Sequence, residues 1–142
     1  MYLGEKSGKF YDQQDRLKIN QWLMAQMGTI GPMIGQHHQF HHYNPGKSEF
    51  GEERYFKITK RIYGELDTRL KESKFLAGPE YTIADIATWP WMARHEWHDI
   101  GLNCSSLLKS TGETLYSYPI SSSIILIFHP LGVLAEKSSI IF

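Results

Sequence analysis

Arg54, in the run EERY, is the residue best suited by type to hold a small organic anion, because a planar guanidinium binds a carboxylate through two parallel hydrogen bonds. The plainer alternative is a surface arginine paired with Glu52 or Glu53. The run HHQFHH offers different chemistry. His37 and His41 are four apart, as are His38 and His42, so on a helix each pair shares a face and suits a divalent metal. No cysteine or carboxylate lies near enough in sequence to complete a ligand set. No metal is therefore assigned; His37 and His41 remain the candidates, and a helix-end, cleft-rim role is the expectation. Asp85 invites an acid–base reading, but Thr82 stands three residues before it, which is the spacing of a capping box. Cys104 is the one cysteine, and no motif sets a base beside it, so it reads as an incidental free thiol. Trp89, Trp91 and Trp97 can form an aromatic platform or a core, and the core is the expectation. Tyr43 and Tyr55 are candidate cleft hydroxyls.

Helices must position these groups. Asp12 or Asp15 can cap a helix beginning near Gln13, with Leu17, Ile19, Trp22, Leu23, Met24 and Met27 on one face and part of a second. GTIGPMIGQ then brings three glycines and Pro32, which predicts a kink rather than an end, since Met27, Ile30 and Ile34 keep one face towards Tyr43. YNPGKS is a loop. A second long helix is predicted from Ser48 to about Lys74, with Phe50, Tyr55, Ile58, Ile62, Leu66 and Leu70 inward. A third starts at Thr82, stapled by Tyr81 and Ile86. It is nearly apolar all round and carries Pro90 inside, so firm nucleation at its cap offsets a weak interior. Residues 104–120 read as a last helix, and strand-like alternation appears only after Pro119. The fold class is all-α, a bundle of four to five helices with a kinked first long helix.

Composition narrows the function classes. The 142 residues suit one domain, and 42% hydrophobic residues can build a core. Fifteen basic residues balance fifteen acidic ones, which leaves no electrostatic footprint for nucleic acid or for an anionic membrane surface. The longest apolar run, IILIF at 124–128, is far short of the roughly 20 residues a membrane span needs. One cysteine and no apolar leader suit a reducing, cytoplasmic setting.

QWLMAQMGTIGPMIGQHHQF, ERYFKITKRIYGELDTRL and FLAGPEYTIADIATWPW together resemble the C-terminal helical domain of the glutathione S-transferases, closest to the bacterial Nu-class branch that includes glutathione-dependent disulfide-bond oxidoreductases. The resemblance covers roughly residues 1–103. It implies that residues 1–11 end an interdomain linker, that 12–120 form the helical domain, and that 121–142 are a divergent tail. It implies that a thioredoxin-like domain, unmatched in these residues, binds most of the glutathione and holds the catalytic residue, so no catalytic residue is assigned here. Glutathione is then a co-substrate, with no covalent cofactor, and its thiolate attacks a small electrophile or a disulfide. The helical domain shapes the second-substrate pocket and a homodimer interface. By the same resemblance Arg54 reaches glutathione in the partner subunit, while Gln26, Gln36 and the glycines line the cleft and dimer seam; for the glycines close packing is the expectation, and Tyr55 is kept as a further glutathione-contact candidate. Two alternatives stand beside this reading: a non-catalytic helical dimerisation domain, and a histidine-rich metal-binding protein.

Overall fold

The computed structural model describes residues 1–100, and among them there are helices and no strand. The predicted helix at 104–120 and the tail at 121–142 lie outside the described residues. A short helix α1 (Tyr2–Ser7) leads through an extended stretch to α2 (Arg16–Ala25). Helical backbone then runs without a break through a π-helical segment (Gln26–Ile30), α3 (Gly31–His37) and a second π-helical segment (His38–Tyr43). Two more helices follow, α4 (Glu49–Glu72) and α5 (Ile83–Met92), and a 3₁₀ turn (His95–Trp97) closes the described chain.

The first long helix does not need to break at Pro32. Pro lacks an N–H and its ring crowds the carbonyl four residues back. The π turn just before it puts an extra residue into the ladder, which relieves that crowding. The same insertion rotates the face. Ile30 and Ile34 are buried as expected, but Met27 is 65% exposed and Gln26 turns inward in its place. Leu17 and Met24 also face out, leaving Ile19 and Leu23 to fill the core. On α4, Phe50 is exposed, and the inward residues are Thr59, Ile62, Tyr63 and Leu66.

The expected cap at the start of α2 differs in detail. Asp15 occupies the cap position without a side-chain capping bond, while the Asp12 carboxylate accepts from the Gln14 N–H at 2.7 Å, one turn early. Ser48, read from the sequence as the first residue of α4, is instead its cap, accepting from the Gly51 N–H at 3.1 Å.

The main core gathers Ile30 and Ile34, Ile62, Tyr63 and Leu66, Leu76, and Met92, so α5 packs against both long helices. A second cluster joins Tyr11, Ile19, Leu23, Ala77 and Ala84. It is tied by a hydrogen bond from the Ile83 N–H to the Phe10 carbonyl at 2.9 Å.

Two of the three glycines pack closely, as expected, against a ring of the same chain. A Cβ on Gly31 would lie 3.1 Å from Trp91, and one on Gly35 would lie 3.5 Å from the same ring. The pair therefore forms a notch on α3 that seats the Trp91 indole of α5. Gly28 has open space beside it.

Candidate functional site

The capping box forms, and it reaches further than its spacing predicts. Thr82 Oγ1 accepts from the Ala84 N–H at 3.3 Å, and Asp85 Oδ2 accepts from the Thr82 N–H at 3.0 Å. The Thr82 hydroxyl also donates to Asp85 Oδ2 at 3.0 Å. Asp85 Oδ1 accepts from the Leu76 N–H at 2.9 Å, nine residues back. One buried carboxylate thus holds both the start of α5 and the connection that precedes it. Burial pushes the Asp85 carboxyl above its usual range, and its hydrogen bonds pull the other way. Tyr81 and Ile86 meet in a small cluster with Phe75, as the staple requires.

The predicted ligand residues are not gathered at one place. Gln26 is buried, beside the position a Gly31 Cβ would take, and its Oε1 has no partner among the described residues. Gln36 is exposed on α3. Tyr55 stacks on Phe40 with ring centroids 5.4 Å apart. Arg54 is exposed on α4, its guanidinium 5.9 Å from the Tyr55 ring centroid. The pairing considered for it is not used: Glu53 binds Lys57, and Glu52 accepts from the Gly46 N–H.

The HHQFHH pairs stay neighbours but do not converge on a metal. His37 Nε2 and His38 Nε2 are committed to the His98 carbonyl and ring, so the four-residue spacing does not set two nitrogens on one metal. His37 and His41 stack face to face, 4.8 Å between centroids with planes 13° apart. His42 lies flat on Trp97 at 4.2 Å, and Arg94 covers the same indole at 4.4 Å. Among the described residues no group of three or more His, Cys, Asp or Glu side chains is placed to hold a metal.

His37 and His38 turn into the protein, towards a residue that no motif singles out. His98 is completely buried. Its Nδ1 meets the Tyr63 hydroxyl at 2.7 Å, and its Nε2 meets His38 Nε2 at 2.6 Å. The two imidazoles have centroids 4.8 Å apart and planes 18° apart. With the nitrogens that close, the rings meet edge to edge and nearly coplanar, sharing a proton rather than stacking. His37 Nε2 donates to the His98 carbonyl at 3.1 Å, since a carbonyl can only accept. Burial lowers the affinity of all three rings for a proton, and neighbouring histidines reinforce it. His38 falls to about 4 and His98 to about 3, while His37 is lowered against its bond to His98. Burial pushes the Tyr63 phenol up. No local motif points to His98; its only sequence signal is its place in EWHD, sixty residues from His38.

These features define an all-helical module with a capped central helix, an inward histidine network and no cysteine in its described residues. The family model "Glutathione S-transferase, C-terminal domain" matches residues 23–108, more than half of the chain. The chain belongs to the glutathione S-transferase family and carries its C-terminal domain. It is 38% identical to the disulfide-bond oxidoreductase YfcG of Escherichia coli, over 89% of this chain and 60% of that protein. To YghU of the same organism it is 41% identical, over 64% of this chain and 32% of that protein. A Pseudomonas putida glutathione transferase, solved with one glutathione disulfide bound per subunit, superposes with a TM-score of 0.79 at 34% identity, over 90% of this chain and 59% of that one. The chain thus spans 60% or less of the length of these relatives.

Proposed function

We propose that this chain is the helical half of a glutathione-dependent enzyme that conjugates electrophiles or reduces disulfides or peroxides, in the cytoplasm, with glutathione as co-substrate. The helical half shapes the second-substrate pocket and supplies subunit contacts. Arg54 is its anion contact to glutathione, with Tyr55 beside it and Gln36 on the exposed side of α3. Gln26, being buried, acts from within by holding the notch that seats Trp91. The observation that carries this reading is Arg54: it is exposed, and the carboxylates beside it in sequence are already engaged. A guanidinium left in that state suits the carboxylates of glutathione. Nuclear magnetic resonance on the 142-residue chain tests it. Millimolar glutathione disulfide is expected to shift the Arg54 and Tyr55 signals saturably, with a dissociation constant on the order of a millimolar, about 4 kcal/mol. Arg54→Ala should abolish the shifts. If neither signal moves in the unaltered chain, Arg54 is not the contact.

Among the described residues no helix is long and apolar enough to cross a membrane. The exposed Leu17, Met24 and Met27 nonetheless form an apolar stripe along the first long helix. This favours association with a second copy, in the enzyme or as a dimerisation module without catalysis. Sedimentation equilibrium should find dimers or larger species, and Met24→Lys with Met27→Lys should return monomers. A monomeric unaltered chain at tens of micromolar would rule out the stripe as a self-association surface.

A further inference from the structure

The Tyr63–His98–His38 chain lies apart from the proposed glutathione contact at Arg54, and a simple structural role leaves its chemistry unexplained. We propose that it is an acid-sensitive latch: two buried imidazoles sharing one proton hold the segment 93–100 against the two long helices, and charging both rings releases that segment while α5 stays folded.

Geometry imposes the sensitivity. Each nitrogen pair along the chain needs one donor and one acceptor. One consistent assignment has the Tyr63 O–H donating to His98 Nδ1 and His98 Nε2–H donating to His38 Nε2. The reverse, with His38 Nε2–H donating and His98 Nδ1–H donating to the phenol oxygen, leaves the Tyr63 O–H without an acceptor in the chain. Both use neutral rings. A protonated ring at each end of the 2.6 Å contact would set two N–H groups and two positive charges against each other. The surroundings offer little relief. The charged and titratable groups facing the pair are His37, His41 and His42 from the first long helix, Tyr63 from α4, and Arg94 and His95 from the segment itself. Arg94 is positive and disfavours a charge on His38. Asp99 acts on His37, where it favours the charged form.

The attachment is local. Besides the links from His98 to Tyr63, His38 and His37, Trp97 packs against the His42, His38 and Tyr43 rings, and Ile100 rests on the main core. The start of α5 is fixed at its far end by the Asp85 box, which shares no residue with the latch. Losing the histidine contacts therefore loosens the end of the described chain, leaving it the Ile100 packing and the Trp97–Tyr43 contact, without undoing the cap.

The sign follows from linkage. Both rings bind protons less readily folded than free, so the latch is fully closed above the ordinary histidine value of about 6.5 and loosens as pH falls below it. If opening takes up two protons, its equilibrium constant rises about a hundredfold per pH unit in that range, and about tenfold if it takes up one.

Hydrogen exchange on the full chain tests this. Protection of the Trp97 and His98 amides, which bond to the Arg94 and His95 carbonyls, is followed from pH 7 to pH 5 and corrected for intrinsic exchange. The expected result is a loss steeper than tenfold per pH unit below pH 6.5, with the Thr88 and Trp89 amides unchanged. His38→Gln keeps a neutral hydrogen-bonding group and should reduce the dependence to about tenfold per unit. A loss no steeper in the unaltered chain than in His38→Gln overturns the proposal, as does loss at Thr88 and Trp89 in step with Trp97. If His38→Gln does not fold, ring resonances of the unaltered chain decide. Both His38 and His98 should remain neutral at pH 6, and either titrating near 6.5 overturns the latch.

Discussion

Asp85→Ala is expected to lower the stability of this domain by about 3 to 5 kcal/mol, which is much of what a domain of this size holds in reserve. The carboxylate is buried and receives the Leu76 N–H, the Thr82 N–H and the Thr82 hydroxyl. Removing it strands two buried backbone donors, each costing roughly 1 to 3 kcal/mol, and deletes half of the capping box of a helix already weakened by Pro90. Asp85→Asn separates the two functions. Its remaining oxygen can still serve the Leu76 N–H, but its amide cannot accept from the Thr82 N–H, so about half of the loss should return. Urea denaturation of the three proteins checks this, and an Asp85→Ala midpoint equal to that of the unaltered chain would refute it. Burial raises the Asp85 carboxyl, so its own contribution is fully present at low pH and declines as pH rises through its folded value. Acid sensitivity must come from elsewhere in the domain.

The second large effect is expected at His98. His98→Ala at neutral pH should cost roughly 3 to 5 kcal/mol. It opens a cavity the size of an imidazole between the first long helix and α4, and strands the Tyr63 hydroxyl and His38 Nε2 where water is excluded. His98→Gln fills most of the volume and reaches one of the two partners, so it should recover part of the loss. His42→Ala, a neighbour on the exposed side, should cost less than about 1 kcal/mol, because its main contact is one face of Trp97. Thermal unfolding at pH 7.5 ranks the three. A His98→Ala protein as stable as His42→Ala would show that the buried network is not holding the segment.

Much of this was legible in the sequence because it rests on neighbours. The Thr82–Asp85 box and the Tyr81–Ile86 staple are set by spacings of three to five residues, and both are present. The apolar rhythm of Ile58, Ile62 and Leu66 placed α4 correctly through its middle, where the helix is regular. The rhythm failed at the π-helical turns. A ladder that gains a residue changes phase, so Met27 leaves the core and Gln26 enters it. The four-residue pair His37–His41 survives as a ring stack, but His37 Nε2 is taken by the His98 carbonyl rather than a metal.

What the sequence determined by itself is therefore the all-helical class, the capped start of α5 and the family pattern those local signals carry. What only the tertiary structure decided is which polar groups meet. Nothing between residues 38 and 98 tells a reader that those two histidines will share a proton, or that Gly31 and Gly35 will seat Trp91 within the same chain. Such pairs arise where three helices converge. Burial there removes water as a partner, so each polar atom must find its complement in whatever side chain the packing brings across.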